Sequence, residues 1–186
     1  MLAQRDLKRL LAFSSIEDMG VLVMGIFAAG QWGLAGALTG VMVHALAKAL
    51  LFASLVAPEA EGPVTLEQRG MVARYPLAGA SFLVGMLTML GMPLTWGFAA
   101  RWRLYISAAE ISPLLLFAFL LASALALLAY VRALTVFWWG TSNSTTREPP
   151  FRSTALNAAL LVLILALFAG GLWPDLIPAL SRLLGG

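Results

Sequence analysis

Trp32-Gly-Leu-Ala-Gly-Ala-Leu-Thr-Gly-Val-Met-Val-His44-Ala-Leu-Ala-Lys48-Ala-Leu-Leu-Phe-Ala-Ser-Leu-Val-Ala57 is a 26-residue run whose only titratable side chains are His44 and Lys48. At 1.5 Å per residue it makes a helix of about 39 Å, longer than the ~30 Å hydrocarbon core of a bilayer. His44 and Lys48 stand four residues apart, so they share one helix face roughly 6 Å apart. Ionisable groups at membrane depth are costly to bury and usually serve ion or proton traffic.

The rest of the chain agrees with a membrane reading. Of its 186 residues, 61% are hydrophobic and 11% charged, and the mean hydropathy is +0.89. A soluble domain has about 25% charged residues. There is no Cys and one His, which excludes a disulfide framework and a thiolate metal site and argues against a cofactor held by this chain alone. The net charge of +3 comes from basic residues scattered along loop edges, not massed on a face that would bind nucleic acid. Arg5, Lys8 and Arg9 precede an apolar run that is long and lacks a small-residue cleavage site, unlike a cleaved signal peptide.

Five spans are expected, over residues 10–30, 32–57, a third from 76, 111–139 and 155–173. Polar loops occupy 58–74 and 140–152. The fold class is therefore all-α and polytopic, one membrane domain over 1–186 with no soluble domain. The third span is discontinuous. From Pro76 to Glu110 it is too long for one straight crossing, and Gly91, Pro93 and Gly97 lie inside it. Proline removes a backbone donor and clashes with the preceding turn. Broken helices at membrane depth are tolerated where protein or a water-filled cavity satisfies the backbone, and transporters place ion sites there. Arg101 and Arg103 follow the break. The bland alternative is a simple kink or a short loop.

Lys and Arg set orientation. Arg5, Lys8, Arg9, Arg69, Arg74, Arg132, Arg147 and Arg152 fall on one side, Arg182 on the other. This predicts an integral protein of the inner or plasma membrane with a cytoplasmic N-terminus. Trp138, Trp139 and Trp173 at helix ends suit interfacial anchors.

Counting depth from Arg9 puts Glu17 about 12 Å into the first helix, and Lys48 lies about 13 Å from the same side on the returning helix. A Glu17–Lys48 pair is expected, with His44 one turn away able to pass a proton through either nitrogen. The path then joins Glu17, Lys48, His44 and Arg101 through water. Asp18 ranks behind Glu17 as a relay candidate, and the alternative for both acids is service to a partner subunit's basic residue. Structural alternatives are a snorkelling Lys48 and a His44 that merely bonds a neighbouring helix.

The stretch from Asp6 to Gly20, Asp-Leu-Lys-Arg-Leu-Leu-Ala-Phe-Ser-Ser-Ile-Glu-Asp-Met-Gly, resembles the DLKRLLAYSS segment of antiporter-like membrane subunits. Those subunits occur in respiratory complex I (NADH-quinone oxidoreductase), group 4 membrane-bound hydrogenases and multisubunit cation/proton antiporters. His44-Ala-Leu-Ala-Lys-Ala-Leu-Leu-Phe52 is similar to their HALFKALLF, and Gly91-Met-Pro-Leu-Thr-Trp-Gly-Phe-Ala-Ala-Arg101 to their GxPPxxGFxxK. Tyr130-Val-Arg132 and Phe137-Trp-Trp-Gly140 are similar to the penultimate helix. The resemblance covers nearly the whole chain. It implies proton translocation with Lys8, His44 and Lys48 on the charged axis, and raises Lys8 from an edge charge to a relay residue.

Arg101 stands where the family has Lys or Glu, and an arginine holds its proton. Family members are longer, and this chain resembles only their C-terminal part, which implies a split or truncated subunit. The implied partners are other membrane subunits, among them one supplying the missing N-terminal helices, together with the lipid bilayer. No cofactor is expected on this chain. Quinone, NADH, flavin and iron–sulfur clusters are left to partner subunits. The competing readings are a component of a multisubunit cation/proton antiporter and a non-conducting membrane scaffold.

Overall fold

A computed structural model describes residues 1–28, 31–141, 151 and 153–173. These residues form six α-helices. They are α1 (Leu7–Phe27), α2 (Gln31–Glu59), α3 (Pro76–Met89), α4 (Trp96–Ile111), α5 (Pro113–Ala133) and α6 (Thr154–Leu172). Helix α5 continues into a π turn over Leu134–Trp138. Four stretches are long and apolar enough to cross a membrane: Leu7–Phe27, Trp32–Glu59, Pro113–Trp138 and Thr154–Leu172. The expected third span is divided between α3 and α4. Their 14 and 16 residues give about 21 and 24 Å, each short of the ~30 Å core. The protein is an all-α, integral membrane protein.

Local chemistry sets the helix ends. Asp6 caps α1 by accepting from the Arg9 amide at 2.9 Å, satisfying one of the donors that a helix start leaves free. Ser112 and Ser153 cap α5 and α6 through their hydroxyls, and Pro76 and Pro113 occupy first-turn positions where no backbone donor is needed. Helix α3 ends at Met89, and the chain turns at Gly91, two residues before Pro93. The Met92 amide reaches back to Leu87 O at 2.9 Å and the Gly91 amide to Thr88 O at 3.0 Å. With Gly91 at φ 70°, this is a Schellman termination. Leu94 follows at φ 73°, a conformation rare for a side chain with a Cβ.

Helix α2 lies at the centre, against α1, α3, α4 and α6. Two apolar clusters surround it. The larger includes Leu7, Leu11, Leu51, Phe82, Tyr130, Trp138 and Leu160, and the smaller Val21, Leu22, Ala37, Leu104 and Phe119. Trp138 does not anchor an interface. It is fully buried against Phe82 and Phe137, with ring centroids 5.7 and 5.1 Å away. Its neighbour Trp139 and Trp173 are exposed.

One end of the bundle collects the basic residues. Leu66 N bonds Arg5 O at 2.9 Å, and Leu7 N bonds Val64 O at 3.0 Å. Lys8 pairs with Glu59, Arg132 donates to Leu2 O, and Arg74 pairs with Glu61 at 2.8 Å. Tyr75 belongs to the same end, donating to Glu61 and accepting from the Phe151 amide at 3.1 Å. Burial, and the Glu61 carboxylate that the Tyr75 hydroxyl donates to, hold that phenol above its ordinary pKa. Arg147, Arg152 and Arg182, also used for the orientation, lie outside the described residues.

Candidate functional site: a buried charge cluster

Helix α1 buries Leu7, Leu10, Leu11, Ser14, Asp18, Val21, Leu22 and Gly25, a stripe at three- and four-residue spacing. Asp18 therefore points inward among leucines. One carboxylate oxygen accepts from Arg101 Nη2 at 2.6 Å, and the other lies 2.6 Å from His44 Nδ1. Arg101 and Asp18 are each only 6% exposed. An ionised carboxylate can only accept, so this contact places a proton on His44 Nδ1.

Arg101 enters from α4 across the helix break. Besides Asp18 it donates to Met89 O at 3.1 Å. That carbonyl lies in the last turn of α3, where no backbone N–H reaches it. The guanidinium supplies the missing donor. The break is packed around it. A Cβ at Gly91 would lie 2.5 and 2.6 Å from the Arg101 methylenes, and one at Gly97 1.8 Å from Thr88 O. Only glycine fits at either place. Arg101 Nη1 and Glu17 Oε1 face each other at 3.9 Å without a hydrogen bond.

Lys48 sits one turn along α2 and is 7% exposed. It donates to Leu11 O at 2.7 Å and to Ser14 Oγ. Ser14 also accepts from the Tyr130 hydroxyl at 2.9 Å and donates to Leu11 O at 2.8 Å. The expected Glu17–Lys48 ion pair is not formed. Lys48 turns to hydroxyl and carbonyl oxygens, and Glu17 lies by Arg101. Lys8 is remote from the cluster, half-exposed beside Glu59.

A small cavity bordered by Asp18, His44, Thr88, Gly97 and Arg101 leaves room for about one water. Among the described residues no group of three His, Cys, Asp or Glu could hold a metal ion. With Glu17 and Asp18 against Lys48 and Arg101, the formal charges balance inside the membrane. Three members of the cluster were not named from sequence as relay residues: Asp18, Ser14 and Tyr130. For Asp18 and Ser14 the signal was available, since both lie on the leucine stripe of α1 while Glu17 lies off it.

A polytopic bundle with a discontinuous helix and charges facing one another at membrane depth belongs to the class that contains ion-translocating membrane subunits. The comparisons narrow the class. The family model "NADH:quinone oxidoreductase/Mrp antiporter, TM" matches residues 1–126, and the chain belongs to that family. It is 36% identical over 186 residues to NADH-quinone oxidoreductase subunit 14 of Thermus thermophilus, covering 97% of this chain and 41% of the relative. It is 28% identical over 187 residues to NADH-quinone oxidoreductase subunit N 1 of Herpetosiphon aurantiacus, covering 98% and 38%. A chain of respiratory complex I from Thermus thermophilus with bound NADH shares the fold at TM-score 0.85 and 24% identity, over 93% of this chain and 37% of that one. The chain thus spans about two fifths of the length of these relatives.

Proposed function

We propose that this protein is a proton-translocating membrane-arm subunit of a complex I-like or group 4 hydrogenase-like assembly. The observation that carries the reading is the pair of buried hydrogen-bonded groups on facing helices, His44–Asp18–Arg101 and Lys48–Ser14–Tyr130. Lys48 can lose or gain a proton, and His44, one turn away, can do the same. Redox energy released in partner subunits, which would hold quinone, NADH, flavin or iron–sulfur clusters, shifts charge along Lys8, Glu17, Lys48 and His44. Other membrane subunits of the complex are its partners. The end bearing Arg5, Lys8, Arg9, Arg74 and Arg132 faces the cytoplasm, following the positive-inside rule.

The test is Lys48→Ala in the assembled native complex, with proton uptake followed during turnover. The expected result is an intact assembly with proton uptake abolished. Normal uptake by an assembled Lys48→Ala complex would overturn the proposal.

A further inference from the structure

We propose that Arg101 is a tethered cation: its guanidinium occupies a monovalent-cation site built from the Asp18 carboxylate, Glu17 and the carbonyl end of α3, and so keeps free sodium and potassium out of the helix break. This rests on the proton-translocation reading and adds the ion specificity of the same site.

The site is anionic on three sides before Arg101 enters it. Around Nη2, Asp18 contributes one oxygen at 2.6 Å and the Met89 carbonyl another at 3.1 Å, while the Glu17 carboxylate lies 3.9 Å from Nη1. The carbonyl end of a helix also bears roughly half a negative charge. Oxygen donors of this kind are those that hard cations choose. The Met89 oxygen is available because the end of α3 leaves its last-turn carbonyls without backbone donors. Nothing in this arrangement needs the shape of a guanidinium. Nη2 makes both hydrogen bonds, and Nη1 is buried without one. Arg101 serves here mainly as a positive charge.

Tethering gives that charge a high local concentration, so a free ion must displace a competitor that cannot diffuse away. Arginine also does not release its proton at any physiological pH. The break therefore keeps its cation throughout a proton-transfer cycle. Protons pass by way of His44 and Lys48, and alkali ions find the site filled. A lysine or glutamate at this place would leave it able to empty.

Retention of radioactive sodium by the purified full chain in lipid vesicles tests this. The wild type is expected to bind no sodium above vesicles alone. Arg101→Met keeps the aliphatic stem against Gly91 and removes the charge. It is expected to retain sodium saturably, at about tenfold the level of vesicles alone. Asp18→Asn combined with Arg101→Met should return to the wild-type level. Equal retention by Arg101→Met and wild type would overturn the proposal, as would saturable sodium binding by the wild type. Should Arg101→Met fail to fold, the wild type decides alone: saturable binding refutes and its absence supports. The assay reads no proton movement. Failure here leaves the Lys48 result standing, and failure of that result leaves this one readable.

Discussion

Replacing Asp18 with Asn changes almost no volume and removes one charge, which isolates the electrostatics of the cluster. The carboxylate is acceptor to Arg101 and to His44, each at 2.6 Å. An amide can accept from one of them but brings an NH2 donor to face the other. Arg101 would stay buried, with Met89 O and a Glu17 that makes no hydrogen bond to it. Removing one partner of a buried ion pair costs about 3–5 kcal/mol. Glu17 is close enough to move in, so the expected loss is near the lower end, about 3 kcal/mol. Arg101→Met should cost a similar amount, because Asp18 is then the uncompensated ion. The double variant should lose less than the two singles together, by about 2 kcal/mol, as residues in direct contact do. The assay is reversible unfolding of the full chain in mixed micelles, followed by helicity. Additivity within about 0.5 kcal/mol would refute the reasoning, since that is the behaviour of independent sites.

Other substitutions separate the remaining contacts. Gly91→Ala should destabilise by about 1–3 kcal/mol through its left-handed backbone, with a further loss from collision with the Arg101 stem; wild-type stability in the same unfolding assay would show that the break is not packed as described. Ser14→Ala removes one of two acceptors from Lys48 and the acceptor of Tyr130, and should cost about 1–3 kcal/mol, against about 1 kcal/mol for Tyr130→Phe, which leaves Ser14 bonded; a smaller loss for Ser14→Ala than for Tyr130→Phe would contradict the geometry. Lys8→Ala should cost at most about 1 kcal/mol, as exposed ion pairs do, so a large loss of proton uptake in that variant would reflect a relay role and not a folding defect. The raised Tyr75 pKa favours the neutral phenol in the folded chain, so its contribution is complete below the ordinary tyrosine range and is lost as pH rises through the folded value. Tyr75→Phe should flatten that alkaline loss of stability, measured as unfolding against pH.

The membrane class and the break were both legible, because run length and glycine or proline placement are local properties. What ends α3 was legible only in part. Proline explains why a helix cannot continue, whereas the chain turns at Gly91, before Pro93, and that end leaves Met89 O to Arg101. Depth counting put Glu17 level with Lys48 but ignored direction around the helix axis. Adjacent residues differ by about 100°, so Asp18 faces α2 and Glu17 faces aside. Counting from Leu7, Leu11 and Ser14 would have chosen Asp18. Tyr130 could not be found this way, since its contact with Ser14 spans 116 residues. Trp138 was misplaced because aromatic residues at a helix end suit an interface or a core equally well; its contacts with Phe82 and Phe137 decide for the core.

The two hydrogen-bonded groups also explain how α1 and α2 keep their alignment. Ser14 and Asp18 are one turn apart on α1, and Lys48 and His44 are one turn apart on α2 in the opposite direction. Ser14 therefore meets Lys48 where Asp18 meets His44, as antiparallel helices require. Leucine packing alone does not choose this register. Sliding α1 by a turn, about 5.4 Å, would bring Asp18 to Lys48, and a direct carboxylate–ammonium pair is the stronger contact taken by itself. Arg101 removes that alternative. It already neutralises Asp18, so moving Asp18 to Lys48 would leave the guanidinium buried with only Glu17 as counter-charge, at a cost of several kcal/mol. The charge at the helix break thus sets which α2 residue faces Asp18, and it leaves Lys48 on uncharged oxygens, where a lysine can give up its proton without breaking an ion pair.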